Sequence, residues 1–302
     1  MNLENGFLQA IVESPDDDAH RLVFADWLDE RGDADRAEFI RVQCELARPG
    51  PDELRHARNL VREPELLSAR EAEWVAPLRP WVREWRFARG FVEWVRIPAE
   101  YAVGPGRHVF GLTPVRHARF NEATEHVAAL ASMPELGRLR SLDLGYNLLS
   151  AERLRPLAES RLLAGLCKLD LAVNPLGDAG LRVLASLPLP RLTELDLHHG
   201  HFGPAGLDAV LQAQGWPGFV SLDLHGNDLQ DAGATLLARS PRVAGLVSLD
   251  LSSTRCGDGG AAALARSPHL GSLKRLLLRH CLIERPQTRD MLRERFGDGL
   301  CL

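Results

Sequence analysis

The chain of 302 residues is 45% hydrophobic and 25% charged, long and apolar enough to bury a large core and too apolar to stay disordered. Its apolar runs are short, as in Val127-Ala-Ala-Leu-Ala131, and fall well below the roughly 18 residues that a membrane span needs. The formal charge of −5 is uneven. Residues 1–110 carry 21 acidic and 15 Arg residues, net −6, and residues 111–302 carry 20 acidic and 21 basic residues, net +1, so neither part offers the basic footprint that nucleic acid binding requires.

The start, Met1-Asn-Leu-Glu-Asn-Gly-Phe7, lacks a positive n-region and runs into Ser14-Pro-Asp-Asp-Asp18, which predicts a cytoplasmic chain rather than a secreted one. Cys44, Cys167, Cys256, Cys281 and Cys301 are scattered, with no C-x-x-C pair; a disulfide framework and a zinc finger are not expected. Cys167, Cys256 and Cys281 read as structural thiols in or beside the core.

In chain order, Leu3, Phe7 and Ile11 share one face of a helix that Pro15 stops. Asp18 then caps a second helix carrying Val23 and Trp27 and ended by Gly32, and a third helix aligns Phe39, Val42 and Leu46. The run Arg21-Leu-Val-Phe-Ala-Asp-Trp-Leu-Asp-Glu-Arg-Gly-Asp33, continued by Arg36-Ala-Glu-Phe-Ile-Arg-Val-Gln43, closely resembles the bacterial "repeat-companion" domain. That resemblance implies a small helical module, residues 1–50, ahead of leucine-rich repeats, and implies no reaction. Arg89-Gly-Phe-Val92 and Leu292-Arg-Glu-Arg-Phe-Gly297 look like the same family. Residues 1–35 hold ten acidic residues against Arg21 and Arg31, which disfavours a DNA-reading helix. Residues 51–88 read as a helical connector in which Trp74, Trp81 and Trp85 are core.

From residue 89 the pattern changes. Val92-Glu-Trp-Val95-Arg-Ile97 and Val115-Arg-His-Ala118-Arg-Phe120 fit L-x-x-L-x-L, with equivalent positions advancing by 23 and then 24 residues and leaving little room for helices. Six clearer copies follow, beginning at Leu139, Leu166, Leu192, Phe219, Leu246 and Leu273, spaced 27, 26, 27, 27 and 27 residues. Each pairs a short alternating strand such as Leu142-Asp-Leu144 with a turn and a helix, for example Asp178-Ala-Gly-Leu-Arg-Val-Leu-Ala-Ser186. Asn147, Asn174 and Asn227 stand where the chain leaves the strand, and a buried amide there can satisfy turn backbone. Asp178, Asp231 and Asp258 stand at helix starts, where a carboxylate accepts from free N–H groups. These copies resemble the leucine-rich repeat of the ribonuclease-inhibitor class. The resemblance implies an α/β, right-handed solenoid of about eight parallel strands over residues 89–283, capped by residues 284–302.

Alternation sends the residues between the paired leucines to the open, concave face. That face is banded: Trp94, Arg96 and Arg119 first, then Asp143, Asp170, Asp196, Asp223 and Asp250, and lastly Arg275 and Arg279. His198 and His225 share one slot on adjacent strands. No nucleophile elbow, P-loop, dinucleotide fingerprint or H-E-x-x-H occurs. The expectation is a monomeric, non-enzymatic scaffold with no cofactor or metal, binding a protein through this face and neither nucleic acid nor membrane. Two alternatives stand beside it: docking by the acidic helical cap with the arc as spacer, and a metal-binding or enzymatic site around His198 and His225.

Overall fold

The computed structural model describes residues 3–48, 50 and 52–302; the expected boundary between 50 and 51 falls beside Pro49 and Pro51, which lie outside the described residues. The chain forms two compact units, residues 1–120 and 121–302.

The first unit begins with four helices, α1 (Leu3–Glu13), α2 (Asp18–Glu30), α3 (Ala34–Leu46) and α4 (Glu53–Trp74). A hairpin of β1 (Glu84–Ala88) and β2 (Phe91–Pro98) follows, then the short helices α5 (Ala99–Val103) and α6 (Val109–Leu112), and β3 (His117–Asn121) at its end. Ile11, Phe24, Ala25, Leu28, Ala37, Ile40 and Phe91 form one core, with Phe7, Leu8 and Trp27 packed against it. Three expectations are corrected. Asp17, not Asp18, caps α2, its side chain accepting from Ala19 N; Val23 is 53% exposed, because Phe24 and Leu28 make the buried stripe. Leu3 is also exposed, one turn before the core begins. Trp74, Trp81 and Trp85 are half-buried: Trp74 packs on Phe39 at 4.7 Å between ring centroids, Trp81 on Tyr101 at 5.8 Å, and Trp85 donates its ring N–H to Glu71 at 2.7 Å.

The tip of the hairpin ties this unit together. Arg89 and Gly90 both have positive φ, 51° and 87°, the conformation of a two-residue turn that suits the twist of paired strands. A side chain at Gly90 would meet Ile40 at 2.6 Å, so the helices press directly on the turn. Gly90 N donates to Gln43 Oε1 at 2.7 Å, and fully buried Arg21 donates to Arg89 O at 3.2 Å, Pro15 O at 2.9 Å and Glu93 Oε1 at 2.8 Å. Arg89 also donates to Glu93. Burial pushes Arg21 down and Glu93 up, each against the pull of the other.

The second unit repeats strand, turn and helix. After α7 (Val127–Ala131) come β4 (Ser141–Asp143), α8 (Ala151–Glu159), β5 (Lys168–Asp170), α9 (Gly177–Leu184), β6 (Glu194–Asp196) and α10 (Pro204–Leu211). They continue through β7 (Ser221–Asp223), α11 (Gln230–Arg239), β8 (Ser248–Asp250), α12 (Asp258–Ala265), β9 (Arg275–Leu277), α13 (Pro286–Phe296) and β10 (Leu300–Cys301). Consecutive strands from β4 to β10 pair in parallel. The eight expected strands are β2 to β9; β1 and β10 are additions, one closing a hairpin and the other laid by the C-terminal segment against β9. As the shorter early spacings imply, α5, α6 and α7 span five, four and five residues, against eight to ten in α8 to α12.

The helix-start aspartates act one repeat further on than expected. Asp178, in α9, accepts from Gly203 N at 2.8 Å and Gly206 N at 3.0 Å, so it caps α10. Asp231, in α11, accepts from Gly257 N, which precedes α12, and Asp258 accepts from Arg285 N at 3.1 Å, ahead of α13. Gly206 is needed for this fit, since a Cβ there would stand 2.7 Å from Asp178 Oδ1. The asparagines behave as expected. Asn174 donates to Leu144 O and Leu171 O, both at 2.9 Å, and accepts from Asn147 N and Leu149 N at 3.1 and 2.8 Å, stitching two repeats. Thr254 and Cys281 replace it with bonds to Leu251 O.

Candidate functional site

Strand register puts one aspartate on each of five neighbours: Asp143 opposite Asp170, Asp170 opposite Asp196, Asp196 opposite Asp223, and Asp223 opposite Asp250. Each leucine before it is buried and each carboxylate half-buried. In all five, Oδ1 accepts the backbone N–H two residues on, from Gly145, Ala172, His198, His225 and Ser252, at 2.8–3.0 Å. The next residue takes positive φ in each copy: Tyr146, Val173, His199, Gly226 and Ser253. The aspartate thus ends its strand by holding the turn with one oxygen, and the second oxygens recur along the sheet at roughly 4.8 Å per strand.

Like charges at this spacing disfavour full ionisation. Burial, reinforced by Asp143, pushes Asp170 up to about 6. Asp223 is also raised, by burial first, with Asp196 and Asp250 adding to it against the His225 N–H. Lys168 lies 3.5 Å from Glu194 at the near end of two strands. The column stops at β9, where Leu277 stands opposite Asp250. Arg275 and Arg279 are exposed there, and Arg279 Nε donates to Cys301 Sγ at 3.0 Å.

At the far end of these strands, imidazoles gather. His198 Nδ1 and Asp196 Oδ1 are 2.7 Å apart. The His198 and His225 rings are 6.4 Å apart between centroids, and His199 meets His225 edge-on at 4.8 Å. Burial and the neighbouring imidazoles lower His199. Ligand atoms of Asp196, His198 and Asp223 lie within 4.8 Å of one another; His225 is outside that trio. Tyr146, 61% exposed, turns its ring edge to His198 at 6.4 Å and was not foreseen. Its signal in the sequence is its place just before Asn147, the turn position that the repeat pushes outward.

Trp94, Arg96 and Arg119 belong to the first unit and are half-buried. Arg86 lies over the Trp94 ring at 4.7 Å, and Arg96 donates to Glu84 at 2.7 Å. In the helical region, Arg41 bridges Asp26 and Asp29 at 2.6 Å each, and Arg31 covers Trp27 at 4.5 Å. Much of the acidic motif is therefore paired internally.

A family profile described as "Leucine Rich repeat" matches residues 219–238. No curated protein matches the chain. Among solved structures, an internalin from Listeria monocytogenes is 18% identical over 63% of this chain and 54% of its own, TM-score 0.43; the chain spans about half of that protein's length. The structure of the Rad7 and Elc1 complex in yeast matches at 14% identity over 92% of this chain and 88% of the other, TM-score 0.46. A Bacteroides fragilis protein matches at 12% identity over 62% and 65%, TM-score 0.40. With its register-locked L-x-x-L-x-L strands, its stitched asparagine turns and the profile match at one of its copies, the chain is a leucine-rich repeat protein.

Proposed function

We propose that the chain is a non-enzymatic scaffold that binds a basic segment of another protein through the open sheet face of residues 121–302. A repeat sheet presents ordered, dissimilar side chains on a fixed frame, so a partner is met at little conformational cost. The observation that carries the reading is the column Asp143, Asp170, Asp196, Asp223 and Asp250. Burial first, and mutual repulsion in addition, raises Asp170 and Asp223, and a cationic partner relieves the repulsion. Arg275 and Arg279 bound the face and favour an acidic feature beyond the basic one. Trp94, Arg96 and Arg119 are separate contact candidates in residues 1–120. The internal pairing of Asp26 and Asp29 argues against docking by the helical cap, since those carboxylates already have Arg41.

The test uses the full chain and an octa-lysine peptide as probe. Asp170→Arg/Asp196→Arg/Asp223→Arg should weaken binding about tenfold or more, whereas Glu13→Lys/Glu30→Lys on the cap should leave it unchanged. Loss in the cap variant with retention in the sheet variant reverses the assignment. Deleting residues 1–50 is the wrong control, because it strips buried Glu93 of Arg21.

A second reading rests on Asp196, His198 and Asp223. Two carboxylates and an imidazole suit a divalent transition metal. Zinc uptake by the wild type that His198→Ala abolishes and His225→Ala retains supports it; a wild type that takes up no zinc eliminates it.

A further inference from the structure

The first unit contains a half-open cavity of about 400 Å³, within the range of small-molecule pockets. Its wall combines apolar side chains, including Leu8, Leu28, Trp74, Leu78 and Phe91, with polar ones, and the one cation on it is Arg36, three residues after the cap of α3. The guanidinium carbon lies 4.7 Å from the centroid of Trp74, 5.2 Å from Phe91, 5.6 Å from Phe39 and 5.7 Å from Phe87. Aromatic faces attract the cation but do not replace a hydrogen-bond acceptor. Arg36 Nη1 is buried with no partner, and burial lowers this arginine to about 10, with Asp33 alone opposing.

The contrast with Arg21 is informative. That guanidinium is fully buried, where Arg36 is half-buried, and it has Glu93 and two carbonyls. Charged groups at the cavity other than Arg36 have partners. Asp33 accepts from the Arg36 backbone N–H at 3.3 Å, Glu73 pairs with Arg70 at 3.1 Å, and Glu4 also has a partner. Their negative charge at the wall disfavours dianions, and Arg36 is the one cation among the lining residues.

We propose that this cavity binds an organic monocarboxylate with a hydrocarbon body, the carboxylate accepting from Arg36 and the body lying against Leu8, Leu28 and Trp74. The site is confined to residues 1–120 and does not depend on the sheet-face reading.

Isothermal titration of the full chain with hexanoate, octanoate and 3-phenylpropionate, each beside its neutral amide and the matching amine, tests it. At least one carboxylate should bind stoichiometrically, its amide about tenfold or more weakly, and the amine not at all. Arg36→Gln should lose this preference and Arg36→Lys keep part of it. Leu8→Trp, which fills the chamber and leaves Arg36 in place, should lose binding in a protein whose circular dichroism is unchanged. Equal affinity for acid and amide, preference for the amine, undiminished binding by Leu8→Trp, or no carboxylate bound at millimolar concentration would overturn the proposal.

Discussion

Asp170 shows how a single side chain serves the fold and opposes it. One oxygen holds Ala172 N at 2.9 Å, while burial and Asp143 raise the group from 3.8 to about 6. The folded state therefore holds this proton more tightly than the unfolded state. Its contribution to stability is present below pH 3.8 and is lost as pH rises through about 6. Asp170→Asn, which keeps the acceptor and removes the charge, should gain about 1 kcal/mol at pH 7, discounted for its partial exposure, and nothing at pH 3.5; paired urea titrations at the two pH values check it. The aspartates were legible as a column from the L-x-x-L-x-L pattern alone. Their turn-holding bonds were not, because a bond from a side chain to a backbone N–H two residues on leaves no periodic mark in the sequence. The thiols follow burial: Cys44 is pushed up to about 11 and Cys256 to about 12, so both should react with iodoacetamide only as fast as the protein opens. Fast labelling of native Cys256 would contradict its place in the core.

At the scale of elements, spacing foretold more than composition did. The gaps of 23 and 24 residues before Leu139 left room only for the short helices that are found, and alternating leucines placed each strand. Capping was misplaced by one repeat because a carboxylate beside its own helix start looks the same in sequence whether it serves that helix or the next. Asp178→Ala should thus lower hydrogen-exchange protection at the start of α10 more than in α9, at a cost of about 1 kcal/mol. Greater loss in α9 would restore the local assignment. The helical motif is explained by packing: Arg21 and Gln43 grip the Arg89-Gly90 turn, a contact between residues nearly seventy apart in the first case that no local pattern announces. Arg21→Met removes one of the cations that offset buried Glu93 and should cost about 3 kcal/mol; adding Glu93→Leu should recover much of it. Failure of the double variant to recover stability would show that the charges are not the source of the loss.

For the whole molecule, stability in residues 121–302 comes from stacking, since Asn174 bonds to the copy before it, Asp178 caps the helix of the copy after it, and the strand leucines are buried between copies. Ending the chain after Leu187 should leave residues 121–187 without exchange protection, and native protection there would contradict a solenoid. No helix among the described residues is long and apolar enough to cross a membrane. The proposed binding surface is the carboxylate column of the sheet face. It is tested most directly by titrating octa-lysine into the wild type and into Asp170→Arg/Asp196→Arg/Asp223→Arg at two salt concentrations. Wild-type binding should weaken with salt and be lost in the variant; equal binding by both proteins would show that the column is not the binding surface.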